Sequence, residues 1–325
     1  MMPNAYPDTR DIVTEVLRAE QRIRPHIRET PLDYAASLSA LAHCHAYLKL
    51  ENLQHTGSFK VRGALNKLLS LTPEQRARGV VTASSGNHGA GVAYGLHKLG
   101  VQGTVFVPEH ASATKIEAIK RLGAHVRLYD KDSALTEAFA REYARSQGMV
   151  YISPYNDPQV IGGQGTIAVE LARQLERIDT IFVAVGGGGL ISGIAAYLKT
   201  LSDQVRVVGC SPQNSPVMIE SLKARHIVEM ESLPTLSDGT AGGVEAGAIT
   251  FPLCQQLMDD YALVSEEEIK DAMKLFIETQ HMLIEGAAGA ALAAFSQRRE
   301  QLQGQNVVIV ICGANISLET LKMLL

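Results

Sequence analysis

The stretch GVVTASSGNHGAGVAYGLHKLGVQGTVFVP, residues 79–108, decides the reading of the fold. GVVTASS is an apolar run ending in small polar residues, the pattern of a buried strand and its exit turn. NHGAGVAYGLHKLG carries helical spacing and closes at Gly100, and QGTVFVP opens a second strand. A helix that connects two strands makes them parallel. The alternation continues outward. SATKIEAIKRLG reads as a helix ending at Gly123, HVRLYD as a strand, SALTEAFAREYARSQG as a helix ending at Gly148, and MVYIS as a strand. Upstream, residues 73–78 read as a loop and helix start. Beyond Pro154 the pattern predicts a helix over 161–177, strand TIFVAV, helix LISGIAAYLKTL and strand VRVVGC. Helices over 266–283 and 287–296 and a final buried strand NVVIVICG follow. Two alternating blocks predict two α/β domains, the larger from residues 1–74 and 154–325, the smaller from 75–153, with a cleft between them.

Composition agrees. At roughly 150 residues per domain, a chain of 325 residues has room for two cores. With 46% apolar and 20% charged residues it is an ordinary globular chain, not a disordered one. Lys and Arg total 30 against 34 acidic residues, and no basic run occurs, so nucleic acid is not an expected partner. Cys44, Cys210, Cys254 and Cys312 form no CxxC pair, and a chain this long needs no staples, so reduced thiols and a cytoplasmic location are expected. The first 24 residues carry charges and no apolar core, so no secretory signal is expected. The uncharged stretch 180–198 is interrupted by four glycines and reads as strand, turn and helix, not a membrane span. His43 and His45 flank Cys44 without a suitably spaced fourth ligand, so no metal site is expected.

Four segments carry chemistry. VGGGGLISG, residues 185–193, follows an apolar strand and opens a helix. Its backbone N–H groups and helix dipole suit a phosphate, although the glycines also simply permit close packing. It is neither GxGxxG nor a P-loop. In TGSFKVRGALNKL, residues 56–68, Lys60 stands beside apolar Phe59 and Val61. A solvated lysine is the ordinary reading; at a cleft, burial lowers the amine pKa and makes it an imine former or a base. ASSGNHGAG turns from strand to helix with Ser84, Ser85, Asn87 and His88 in the turn, where free N–H groups suit a carboxylate or Ser85 or Asn87 caps the helix. Cys312 ends a buried strand, where open α/β sheets bind ligands, though most buried cysteines are inert.

Read jointly and in order, TPLDYAASLSA, KLENLQHTGSFKVRGA, SSGNHG, PYNDPQVIGGQGT, GGGGLISG, DGTAGG, IEGAAGA and CGANIS resemble the serine/threonine dehydratase and serine racemase family of fold type II pyridoxal-phosphate enzymes. The likeness spans nearly the whole chain. It implies the tryptophan synthase β-like architecture: two open, mostly parallel-sheet domains with helices on both faces and the active site in the interdomain cleft. It implies pyridoxal 5'-phosphate as cofactor, with Lys60 as its Schiff-base lysine and Gly186, Gly187, Gly188, Gly189 and Leu190 around its phosphate. Asn87 would meet the phenolic oxygen, Cys312 would face the pyridine nitrogen, and Phe59 would pack under the ring. Ser84, Ser85, Asn87 and His88 would receive the substrate carboxylate, Ser85 standing opposite Lys60 as a second catalytic group, and Tyr155 would shape the side-chain pocket.

The expected reaction is β-elimination from a 3-hydroxy amino acid such as L-threonine or L-serine, giving a 2-oxo acid and ammonia. A thiol, with a pKa of about 8.5, does not keep a proton on a pyridine nitrogen as a carboxylate does. The ring is then a weaker electron sink, which favours prompt loss of the hydroxyl over transamination. Alternatives are an amino-acid racemase, a dehydratase for a bulkier substrate such as phenylserine or a hydroxyectoine-derived amino acid, or a silent phosphate binder. Two departures bear on this. Relatives that bind a divalent cation carry acidic residues where this chain reads SPQNSPVM, residues 211–218, so no metal is expected. Feedback-regulated threonine dehydratases add a C-terminal domain, whereas this sequence runs to Leu325. A small amino-acid substrate and a homodimer, with no membrane partner, complete the expectation.

Overall fold

A computed structural model describes residues 8–109, 111, 113–131 and 133–324. Its strands are β1 (Leu32–Tyr34), β2 (His45–Leu50), β3 (Val80–Ala83), β4 (Gly103–Val107), β5 (His125–Leu128), β6 (Val150–Tyr151), β7 (Thr180–Ala184), β8 (Arg206–Pro212), β9 (Asp260–Val264) and β10 (Asn306–Ile311). Six form one sheet in the order β1-β2-β10-β7-β8-β9, and four form a second in the order β5-β4-β3-β6. Every pairing in the smaller sheet is parallel. In the larger sheet only β1 runs antiparallel to its neighbour. The protein is therefore an α/β fold of two open, mostly parallel sheets flanked by helices.

The strand sequences explain the order. β7 is TIFVA and buried throughout, and NVVIVI of β10 is buried from its second residue on, as central parallel strands covered on both faces must be. The strands of the smaller sheet all lie between residues 80 and 151, and those of the larger sheet lie outside that interval. The helix Lys60–Ser70 joins two packing clusters. Its Ala64 and Leu68 pack with Val80, Val92 and Val105 of the smaller sheet's core, while Val61 and Leu65 pack with Ile23 and Ile27 from the N-terminal helix and the turn after it.

Boundaries differ where caps decide them. The helix expected over 161–177 runs Pro158–Gln174, because Asp157 accepts from the N–H groups of Gln159 and Val160, Pro158 fits the first turn, and Leu175 is extended. The helix expected to reach residue 283 stops at Gln280, where His281 turns left-handed at φ 56°. The stretch 180–198 is β7, a turn and the helix Gly189–Leu201. Residues 1–7 of the segment read as lacking a secretory signal, and the expected helix start at Ser112, lie outside the described residues. Among the described residues no helix is long and apolar enough to cross a membrane, and no cluster of three or more His, Cys, Asp or Glu could hold a metal. The four cysteines are free and buried.

Candidate active site

A cavity of about 1090 Å³ opens at the carboxyl ends of strands from both sheets. Its wall includes Phe59 and Lys60, Ser84 to His88 after β3, Tyr155 after β6, Gly186 to Leu190 after β7, and Cys312 after β10. Every site residue expected from the sequence thus lies on one cavity.

Lys60 is the first residue of its helix. The turn before it is pinned by an isolated bridge between Ser58 and Gly313 and by the Phe59 N–H donating to the Cys312 carbonyl at 3.0 Å. The Lys60 amine donates to the Pro154 carbonyl at 2.9 Å and lies 5.2 Å from the Phe59 ring centre. Burial pushes its pKa down to about 8, against the opposing pull of Cys312, Glu285 and Glu137. An unprotonated amine is accordingly within reach near neutral pH.

The glycine loop shows why no other residue serves there. Gly188 takes φ 84° and is the N-cap of the helix Gly189–Leu201, without side-chain capping. A Cβ on Gly187 would come within 2.4 Å of the Tyr155 ring. Tyr155 thus packs on the loop, and its hydroxyl accepts from the Glu245 N–H at 2.9 Å. The first-turn N–H groups of the helix have no side-chain acceptor, which leaves a place for an anion.

A second uncapped helix start faces the cavity. The helix Asn87–Leu99 has Gly86 as N-cap and no side-chain cap, so neither Ser85 nor Asn87 performs the capping that the sequence left open. Ser84 Oγ accepts from the Gly86 N–H at 3.2 Å. His88 is only 3% exposed, and Nε2 lies 3.0 Å from the Ile152 carbonyl, an acceptor, so that nitrogen carries the hydrogen. Burial, with the Lys60 charge adding to it, pushes the ring down to about 3. A neutral imidazole brings no positive charge to a carboxylate; hydroxyls and helix N–H groups are better suited to that task here.

Sequence reasoning did not single out two further residues. Glu285, 4% exposed, accepts from Asn87 Nδ2 through Oε1 at 2.9 Å and Oε2 at 2.8 Å, and lies 3.8 Å from Cys312 Sγ. Burial lifts its carboxyl to about 7, against the hydrogen bonds it receives. Asn315 donates from its backbone to Glu285 Oε2 at 3.2 Å and from Nδ2 to Asn87 Oδ1 at 2.6 Å and the Thr56 carbonyl at 2.9 Å. The available signal was Glu285 itself, a lone charge at the head of the uncharged, alanine- and glycine-rich helix GAAGAALAAFSQ.

The family model for pyridoxal-phosphate dependent enzymes matches residues 23–313. The L-threonine ammonia-lyase of Thermotoga maritima is 38% identical over 313 residues, covering 96% of this chain and 77% of that one. The solved structure of threonine deaminase isoform 2 from Solanum lycopersicum, in its processed form, superposes with a TM-score of 0.93 at 33% identity, over 98% of this chain and 93% of that one. Maize serine racemase superposes with a TM-score of 0.90, also at 33% identity, over 96% and 95%.

Proposed function

This chain belongs to the pyridoxal-phosphate dependent enzyme family, and from that premise we propose that it is an ammonia-lyase acting on a 3-hydroxy amino acid such as L-threonine or L-serine, releasing a 2-oxo acid and ammonia. Its cofactor is pyridoxal 5'-phosphate. The residues present fit that group. An amine lowered to about 8 faces the same cavity as a glycine loop with uncapped N–H groups, in which a Cβ on Gly187 would strike Tyr155. Lys60 would hold the cofactor through its amine, Gly186 to Leu190 its phosphate, Asn87 its phenolic oxygen and Phe59 one face of its ring. When bound, the cofactor supplies the electron sink that acidifies the substrate Cα hydrogen.

The chain's own groups do the rest. The Lys60 amine takes the Cα proton on one face. The open start of the helix Asn87–Leu99, with Ser84 and Ser85 beside it, receives the substrate carboxylate. Burial, together with nearby Glu285, raises the Cys312 thiol well above its ordinary value, so it keeps its own proton beside the pyridine nitrogen. The observation that carries elimination is this thiol, rather than a carboxylate, at the end of β10. Two domains, residues 1–74 with 154–325 and residues 75–153, belong to the same proposal, as do a homodimer and a cytoplasmic location supported by four free thiols. The test is to incubate the holoenzyme with serine, threonine, phenylserine and a hydroxyectoine-derived amino acid and to quantify ammonia, 2-oxo acid and enantiomer together. Equimolar ammonia and 2-oxo acid is the expected result; inversion without ammonia, or no reaction with any of them, overturns the reading.

Ser85 supports racemisation as a second activity. Its half-buried hydroxyl lies on the cavity and has no capping duty; standing opposite Lys60, the place the family resemblance gives it, it would return a proton on that face. A Ser85→Ala variant should fold normally, lose L-to-D conversion and turnover of D-substrates, and keep the L-amino-acid lyase reaction. Chiral chromatography of the products decides it, and unaltered conversion by the folded variant assigns the proton donor elsewhere.

No divalent cation should be required. In the segment 211–218 the Ser211 hydroxyl donates to the Val185 carbonyl at 2.9 Å, and Ser215 Oγ lies 2.7 Å from Ser232 Oγ while accepting from the Gly242 N–H at 3.1 Å. Hydroxyls already engaged in hydrogen bonds, with no carboxylate in the segment, make a poor site for a hard cation. Chelator should leave turnover essentially unchanged; a large loss restored specifically by magnesium or calcium counts against this.

A further inference from the structure

Three residues from distant parts of the chain close a ring at the cavity wall. Asn87 opens the helix after β3, Glu285 precedes the helix Gly286–Gln297, and Asn315 follows β10. Both Glu285 oxygens lie within 2.9 Å of Asn87 Nδ2. Asn315 Nδ2 reaches Asn87 Oδ1 at 2.6 Å and is held from behind by the Thr56 carbonyl at 2.9 Å, and the Asn315 N–H reaches Glu285 Oε2 at 3.2 Å. We propose that Glu285 and Asn315 are positioning residues that lock the Asn87 amide in one of its two flipped orientations, so that an N–H and not the C=O meets an acceptor oxygen of the bound group.

An amide offers two ends of nearly equal shape and opposite hydrogen-bonding sense. Glu285 already accepts the Asn315 N–H at Oε2 and turns both its oxygens to one end of Asn87, so that end is the nitrogen. The Thr56 carbonyl only accepts, so Asn315 must turn its own nitrogen toward it, and Asn87 must then present oxygen to Asn315. The two constraints agree. Flipping Asn87 would set its oxygen against the carboxylate and its N–H₂ against another N–H₂, two like-pole contacts inside a wall where Glu285 is buried. The locked amide spends one N–H on Glu285 and keeps the second for a ligand. Gly313 enforces the arrangement, since a Cβ there would come within 2.6 Å of the Glu285 carboxylate.

The inference rests on the reading that Asn87 meets the phenolic oxygen of the cofactor, and its test does not rely on turnover. Apo protein is titrated with pyridoxal 5'-phosphate, and the affinity and the ratio of the visible to the near-ultraviolet absorption band are recorded for wild type, Asn87→Ala, Glu285→Gln, Asn315→Ser and the double variant Asn87→Ala/Glu285→Gln. Glu285→Gln and Asn315→Ser should each weaken binding about tenfold, of the order that one lost hydrogen bond sets, and shift the band ratio in the direction that Asn87→Ala shifts it. The double variant should match Asn87→Ala alone, because the carboxylate acts only through that amide. Wild-type affinity and band ratio in either folded single variant, or full additivity in the double variant, overturns the lock. Should Glu285→Gln fail to fold, Asn315→Ser, which removes only the outer member of the ring, decides between these outcomes by itself. Wild type that binds no pyridoxal 5'-phosphate overturns the cofactor reading and the lock with it, whereas normal binding with unresponsive variants removes the lock alone.

Discussion

Replacing Lys60 with alanine is expected to lower turnover by about 10⁴-fold or more, the upper range for losing a positioned acid–base group alone, while the protein still folds. The fold survives because the side chain lines the cavity and is not part of the buried core. Among the described residues its amine has one hydrogen-bond partner, the Pro154 carbonyl at 2.9 Å, and that carbonyl faces a cavity into which water can enter. The chemistry does not survive, because the amine is proposed both to hold the cofactor and to move the Cα proton. Lys60→Arg separates those roles from charge. A guanidinium keeps the positive charge and stays protonated at any working pH, so it forms no imine and accepts no proton, and it should be as inactive as alanine. In wild type, borohydride reduction followed by peptide mass mapping should place the cofactor mass on the peptide containing Lys60. Cofactor mass on another lysine, or a colourless protein after supplementation with pyridoxal 5'-phosphate, sinks the assignment.

The parts of the fold legible in the sequence are those governed by local patterns. β3, the helix Asn87–Leu99 and β4 could be read from apolar runs and from Gly100, which ends the helix left-handed at φ 63°. β9 was missed. Its DYALV is a five-residue edge strand in which only Ala262 and Val264 are buried, too short and too polar to carry a period. β1 is shorter still, and its antiparallel pairing with β2 leaves no local trace. The glycine loop was legible because strand, glycines and helix are contiguous. Glu285 and Asn315 were not, although they lie in the family-like stretches IEGAAGA and CGANIS, because what they do is defined by Asn87, about 200 residues away in the chain. The same holds for the largest group of buried charges. Lys49 and Arg62 look like solvated cations in sequence, yet both are fully buried. Only the fold reveals that Glu170 and Glu51 await them.

Glu170→Ala should cost about 3–5 kcal/mol of stability, the range for removing one partner from a buried ion pair. Arg62 donates to Glu51 through Nε and Nη2, each at 2.7 Å, and to Glu170 at 2.7 and 2.9 Å. Lys49 reaches Glu170 at 2.6 Å and the Thr30 carbonyl at 2.7 Å, and the half-buried Arg24 adds a contact to Glu170 at 2.8 Å. Without Glu170, the two buried cations Lys49 and Arg62 are left with a single negative charge beside them, that of Glu51, and otherwise only neutral acceptors such as the Thr30 carbonyl. Two elements that shape the active site feel this directly, since Arg62 lies one helical half-turn beyond Lys60 and Glu170 lies on the helix Pro158–Gln174 that follows Tyr155. The pH dependence follows in sign. Burial alone would raise the Glu170 carboxyl, but Arg62 and then Lys49 overcome it and hold the group below its ordinary value. A depressed carboxylate contributes stability that is fully present above the unfolded-state value of about 4.3 and is lost as pH falls through the lower folded-state value. Urea unfolding at pH 7 should therefore show the full loss in Glu170→Ala. The isosteric Glu170→Gln, which cannot titrate, should start less stable than wild type and decline less between pH 5 and pH 3. Variants within about 1 kcal/mol of wild type at pH 7, the scale of an exposed ion pair, would mean that the buried cations find other partners and that the network is dispensable.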